Sequence, residues 1–295
     1  MTAMTVKRRK SHVHVFDVFN AILLVVFALI TLYPFVYVLA GSFNDGQDYG
    51  AGGVWLIPRE WTTANYRVIV ADTRFWNALK ITVLSTVIGT ASSLLFTSAV
   101  AYAMSRKELP FRNFFQWFNL VTMFFGGGVI AYFMIIVFIG LYDSFLVYII
   151  PGLYSVYNMI VISNFFQSVP NDLHEVAVID GAGEMRIWWK IYMPVSAPVL
   201  ATVGLWIATA RWNNYFSSMA YTRSSDLTTL QYYLVQLIKE AQMSTGGLDP
   251  SITDRISSRT VSFAGIVVAI IPILCVYPFL QKYFVKGLVA GSVKE

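Results

Sequence analysis

Catalysis needs a nucleophile beside a base, or side chains that converge on a metal, and this chain offers neither in a recognisable spacing. It has no G-x-S-x-G nucleophile turn, no H-E-x-x-H zinc helix and no G-x-x-x-x-G-K-[ST] phosphate loop. Gly126-Gly127-Gly128 lacks the lysine a phosphate loop requires and suits a helix break or close helix packing. His12, His14 and His174 stand away from the cysteine and carboxylate company of a zinc site and read as surface histidines. What remains is chemistry of binding. Arg211-Trp212-Asn213-Asn214-Tyr215 sets a guanidinium, two amides and two aromatic rings side by side, and Tyr154, Tyr157, Asn158, Ser163 and Asn164 recur at roughly helical intervals. Such groups hydrogen-bond a polar solute, and a guanidinium grips a carboxylate through two bonds.

These groups need elements to hold them, and composition indicates the kind. Of 295 residues, 57% are hydrophobic and 13% charged, whereas soluble domains average about 45–50% apolar and about 25% charged. Apolar windows long enough to cross a bilayer predict six spans near 16–40, 78–103, 114–139, 145–166, 196–221 and 260–283. The runs show no period-two alternation, and backbone groups in hydrocarbon must bond internally. The expected fold class is therefore all-α, a six-helix membrane protein and not a barrel. The expected divisions are an amino-terminal tail 1–15, a transmembrane domain 16–283 and a carboxyl-terminal tail 284–295. Phe16 to Ala40 exceeds the apolar core of about 7–15 residues found in signal peptides, so it counts as the first span. A lone Cys275 within an apolar run excludes an internal disulfide and a C-x-x-C site, and its thiol is expected to be buried.

The net charge of +5 reads as membrane orientation, not affinity for nucleic acid. With both termini in the cytoplasm, twelve lysines and arginines lie inside and eight lie on the longer outer segments, which fits the positive-inside bias. Arg211 then falls within span five, where a cation at the bilayer centre costs about 2.5–3.5 kcal/mol unless it meets a wet cavity, a partner or the interface. Two uses stay open for it: a structural bond to a carbonyl or acid, or contact with a solute. Thr82, Ser85, Thr86, Ser92, Ser93, Thr97 and Ser98 of span two read as helix-packing residues.

Three connections are longer than a simple turn requires, 41–77 and 222–259 outside and 167–195 inside. Trp55, Trp61 and Trp76 of the first suit a headgroup belt or a docking surface. In the second, Leu227, Leu230, Leu234, Leu237 and Ile238 predict a short amphipathic helix within 226–240. The inner loop reads as an elbow of two short helices. Asn171 or Asp172 caps the first, Gly181 and Gly183 end it in positive φ, and Glu184 to Met193 resumes until Pro194. Its exposed face is expected to present Leu173, Val176, Ala177 and Ala182 to a soluble partner, ringed by Glu175, Asp180 and Arg186.

The order Glu175-Val176-Ala177-Val178-Ile179-Asp180-Gly181-Ala182, with Ile187, Ile191, Pro194 and Pro198 after it, resembles the EAA loop of permease subunits of ATP-binding-cassette (ABC) importers. That family's pattern is E-A-A-x-x-D-G-A followed by spaced apolar residues and I-x-x-P, and this chain departs from it at Val176. Six spans, long outer loops and the place of the elbow extend the resemblance over essentially the whole chain. Trp212-Asn213 and the carboxyl end from Gln281 to Lys294 are similar to the maltose-permease branch, particularly permeases for complex oligo- and polysaccharides.

The resemblance implies a permease of the bacterial cytoplasmic membrane, embedded in lipid. It would pair with a second related permease, rest on two ATPase subunits and take substrate from an extracytoplasmic solute-binding protein. Glu175, Ala177, Asp180, Gly181, Ala182 and Pro194 would couple it to the ATPases, which would hold ATP and Mg, and this chain would bind no cofactor. Tyr154, Asn158, Arg211, Trp212, Asn213, Asn214 and Tyr215 would line the sugar pathway. The branch carries an uncharged residue at position 211, so the guanidinium here points to uronic-acid oligosaccharides and a likeness to an alginate-importer permease. Two alternatives stand beside this: a permease of the same superfamily for a peptide or ion, which the elbow alone admits, and an intramembrane enzyme, for which the chain lacks nucleophile and base motifs.

Overall fold

The computed structural model describes residues 15–52, 54–244, 257 and 259–275. Among these residues the chain is all-helical, and its sole extended pairing is an isolated antiparallel bridge between Asn44 and Trp61. Helix α1 (Val15–Ser42) is apolar along its length, and no part of its most apolar window is buried against the rest of the chain. An apolar helix with every backbone bond satisfied internally and no protein cover is what a lipid environment accepts.

Two short helices follow, α2 (Gly46–Gly50) and α3 (Ala64–Ala71), and then the organising element, α4 (Thr73–Ser105). At 33 residues it spans about 50 Å. Its buried face carries Ala78, Thr82, Ser85, Gly89, Ser93, Thr97 and Ala101, small side chains three or four residues apart that let neighbouring helices approach closely. The hydroxyls also serve as glue. Thr82 accepts from the Leu230 amide at 2.8 Å, and Thr97 donates to the Leu153 carbonyl at 3.2 Å.

Three of the six expected spans are broken, not continuous. The window 114–139 is split into α5 (Arg112–Phe124) and α6 (Gly128–Phe138), which meet at 113° where the glycine run interrupts the helix. The window 145–166 begins as two 3₁₀ turns, Phe145–Tyr148 and Ile150–Gly152, and bends by 47° into α7 (Val156–Gln167), whose N-cap Ser155 accepts from the Asn158 amide. After the elbow helices α8 (Asp172–Ile179), α9 (Glu184–Ile187) and α10 (Met193–Val195), the chain turns by 86° into α11 (Ala197–Trp212). Pro194 has no N–H to donate into the preceding turn, and the backbone widens into a π-helix over Trp188–Tyr192 just before it.

The window 196–221 also ends early. Helix α11 stops at Trp212, and Asn214 accepts from the Ser217 amide at 2.9 Å to start α12 (Phe216–Tyr221). The amphipathic helix expected within 226–240 is present as α13 (Leu230–Ser244), with Leu230, Tyr233 and Leu234 packed on Ile69, Phe75, Ala78 and Trp212. The last described helix, α14 (Arg259–Cys275), covers part of the sixth window, and the rest of that window and the carboxyl-terminal tail lie outside the described residues. Cys275 is exposed, contrary to the sequence expectation, because α14 leaves it on an uncovered face. Helices α1 and α4 are long and apolar enough to cross a membrane, and each of the three bent pairs has the length and composition of a broken span or a re-entrant loop.

The loops at the ends of α1 and α12 are held by polar bonds. Asn65 donates to the carbonyls of Ser42 and Asn44, both at 2.9 Å, and accepts from the Thr260 hydroxyl at 2.9 Å, joining the end of α1 to α3 and α14. Asp143 accepts from the amides of Arg223 and Ser224 at 2.9 and 2.8 Å, and those bonds hold its carboxyl below the usual aspartate range.

Candidate functional site

The elbow folds by a local rule that its sequence encodes. Gly181 has φ +76°, its amide donates to the Val178 carbonyl at 3.0 Å, and the Ala182 amide reaches back to the Ala177 carbonyl at 2.9 Å. This pair of bonds is a Schellman motif, which closes a helix with a left-handed residue and brings the side chains on either side together. Ala177 is accordingly buried and Ala182 half-buried, both against the inner core around Tyr102, Phe166, Ile187 and Tyr192. This corrects the expectation that these two alanines belong to the exposed face: they are interior joints. Gly183 likewise does not take positive φ, and at φ −74° it is the extended N-cap of α9. The surface presented outward is instead Leu173, Val176, Val178, Ile179 and Met185, with Ile179 84% exposed. Glu175, Asp180, Gly181 and Pro194 are also exposed.

Behind that surface, α8 and α9 meet the inner end of α4. His174 is buried, not the surface residue its isolation in sequence implied. Its Nδ1 lies 3.0 Å from Nη2 of Arg106, and its Nε2 lies 3.1 Å from Oε1 of Glu184. Arg106 can only donate, so Nδ1 accepts and the ring proton on Nε2 is given to Glu184. The Tyr102 hydroxyl donates to the other oxygen of the same carboxylate. Arg106 further donates to the Tyr192 hydroxyl at 3.2 Å and to Asn171 at 3.3 Å. A cavity of about 720 Å³ opens beside these groups, bordered by Leu109, Val178 and Ile179.

A second cavity, about 560 Å³, lies at the break before α7 and against the outer half of α11. Tyr154, Asn158, Arg211 and Asn214 border it, together with Trp206 and Tyr148. The structure fixes what anchors Arg211. Its guanidinium donates to the carbonyls of Tyr148 and Gly152, the second at 2.9 Å, both left without helical partners where the 3₁₀ turns end. The head lies in a slot between two glycines: a Cβ at Gly89 would overlap it, and one at Gly152 would come within 2.7 Å of Nη2. Three of the expected pathway residues lie elsewhere. Trp212 is buried in the outer core with Phe75, Leu230 and Tyr233, Asn213 bonds back to the Thr209 carbonyl, and Tyr215 is exposed beyond the end of α11.

Sequence reasoning passed over Tyr148, Trp206 and Ser93 as lining groups. Trp206 lies five residues before Arg211 on α11, about 140° around the helix from it, so helical spacing from Arg211 did not mark it. Among the described residues no three His, Cys, Asp or Glu side chains converge into a metal site. The arrangement is chemically a binding surface of aromatic faces, amides and one guanidinium.

Comparison with known proteins finds relatives over nearly the whole length of the chain. Residues 97–289 match the family described as "Binding-protein-dependent transport system inner membrane component". Protein LplC of Bacillus subtilis (strain 168) is 35% identical over 280 residues, covering 95% of each chain. The polygalacturonan/rhamnogalacturonan transport system permease protein YtcP of the same organism is 36% identical over 287 residues, covering 95% of this chain and 98% of its own. A chain in the crystal structure of a bacterial ABC transporter involved in the import of the acidic polysaccharide alginate superposes with a TM-score of 0.86 at 34% identity, covering 94% of this chain and all of its own. The chain described here belongs to the family of binding-protein-dependent transport system inner membrane components.

Proposed function

We propose that this chain is a permease subunit of an ATP-driven ABC importer and carries an acidic, uronate-containing oligosaccharide across the bacterial cytoplasmic membrane. The observation that carries the substrate class is the nature of two of its relatives: one is named for transport of polygalacturonan and rhamnogalacturonan, the other for import of alginate, and all three polymers contain uronic acids. The cavity at the α7 break is consistent with such a solute. Tyr154, Trp206 and Asn158 offer ring faces and an amide to sugar hydroxyls, and Arg211 is a cation at its border. Two of the five guanidinium N–H groups are engaged by carbonyls, so the charge is held in place while the head still faces the cavity.

In this reading both termini and the elbow are cytoplasmic, and Glu175, Asp180, Gly181 and the apolar tip around Ile179 dock on an ATPase, with Ala177, Ala182 and Pro194 shaping the segment. ATP and Mg belong to two ATPase subunits, a second permease completes the channel, and an extracytoplasmic solute-binding protein delivers the sugar. The uncovered face of α1 meets lipid or the second permease.

The test is uptake by the reconstituted transporter of an oligogalacturonate, an alginate oligosaccharide and a neutral maltodextrin of similar length. Preference for the acidic sugars supports the proposal. In Arg211→Ala that preference falls by about tenfold, the value of one charge-assisted contact. Equal uptake of neutral and acidic sugars would set the uronate assignment aside.

A further inference from the structure

We infer that Tyr102, Arg106, His174 and Glu184 form a latch that fastens both arms of the elbow to the inner end of α4 and sets how much of an elbow movement reaches the cavity around Arg211. The inference rests on the reading of the elbow as the ATPase-docking segment. His174 is the third residue of α8 and Glu184 the first of α9, so the imidazole bridges the two arms across the Gly181 joint. The same ring takes its second bond from Arg106, the C-cap of α4, and Glu184 takes a further bond from Tyr102 one turn earlier in α4. Arg106 also holds Tyr192 of the π-helix and Asn171 at the start of α8. Three separate segments, α8, α9 and the π-helix, therefore converge on one end of one helix. The ring of Tyr102 packs edge-on against Tyr192 at 4.9 Å between centroids, so the polar contacts are backed by a rigid aromatic pair.

The other half of the argument is the continuity of α4. From Tyr102 to Gly89 it runs as unbroken helix for about 20 Å. Gly89 is one wall of the Arg211 slot, and Ser93 borders the cavity. Its neighbours bend by 47° and 86° between the elbow and the cavity or next to them, and bends absorb displacement. An elbow pulled by a docked motor thus moves α4 through the latch, and α4 moves the slot in which the cation sits. Without the latch the tip still docks, but the pull is taken up by the Gly181 joint and the π-helix.

The complete transporter, with its second permease, ATPases and binding protein in lipid vesicles, is assayed for ATP hydrolysis and uptake of a radiolabelled oligogalacturonate in the same vesicles. The variants are Tyr102→Phe, His174→Ala, His174→Gln and Glu184→Gln. Tyr102→Phe keeps the ring packing, so loss of folding does not obscure its result. The expected result is hydrolysis within about twofold of wild type and sugar carried per ATP reduced about tenfold, the size of a lost coupling of this kind. His174→Gln, which keeps one donor and one acceptor, recovers part of the ratio. Parallel loss of both activities, or an unchanged ratio in Tyr102→Phe and Glu184→Gln, overturns the latch while leaving the transporter reading intact. Wild-type uptake that is independent of the ATPases overturns that reading, and the latch with it.

Discussion

Gly181 shows how one residue can fix the shape of a docking segment. Its φ of +76° is disfavoured for any residue with a Cβ, and a Cβ there would meet open space, so the penalty is backbone strain alone. Gly181→Ala is expected to weaken the joint by about 1–2 kcal/mol, read as faster hydrogen exchange at the Gly181 and Ala182 amides with the transmembrane amides unchanged. An unchanged exchange rate would show that the joint does not depend on that conformation. The D-G-A order made this joint visible in sequence. The identity of the partners of Arg211 was not visible. The sequence showed that an intramembrane cation needs a use, but its acceptors are carbonyls freed by the 3₁₀ turns, and no side-chain pattern marks a freed carbonyl. His174 was misread for a similar reason, since its company comes from Arg106, which is 68 residues away in the chain.

At the scale of elements, the long helix α4 begins at a cap that also titrates. Asp72 accepts from the Arg74 amide at 2.8 Å and from the Tyr233 hydroxyl at 2.9 Å. Burial acts to raise its carboxyl, but the side-chain and backbone bonds from Arg74 and the bond from Tyr233 outweigh it and hold the group below its ordinary value. A carboxyl depressed in the folded state stabilises above its unfolded pKa of about 3.9 and loses that contribution as pH falls through the lower folded value. Asp72→Ala is therefore expected to cost about 1 kcal/mol at pH 7. The gap from wild type in thermal inactivation should narrow as the pH is lowered below about 4. A gap that does not change with pH would assign the effect to packing. The existence and class of the long helices could be read from hydropathy, but their breaks could not. A window of about 19 residues averages over Gly126-Gly127-Gly128, Ser155 and Pro194 to Pro198, although each of these carries a local breaking signal.

At the scale of the whole molecule, α1, α3 and α14 are tied together through a side chain that hydropathy cannot rank. Asn65 is 1% exposed and joins the ends of α1 and α3 to α14 by three bonds. Asn65→Leu keeps the branched shape in a bulkier side chain and leaves the Ser42 and Asn44 carbonyls unpaired, at about 1–3 kcal/mol for each buried group, while the Thr260 hydroxyl keeps its bond to Ser257. The purified protein should inactivate measurably faster on heating, and survival at the wild-type rate would mean that water replaces the amide. A related dependence concerns synthesis. The carbonyls of Tyr148 and Gly152 are satisfied by a residue that follows them by 63 and 59 positions. Hydrocarbon offers an unpaired carbonyl nothing in the meantime. The segment around residues 145–152 thus completes its backbone bonding only after the ribosome has delivered α11.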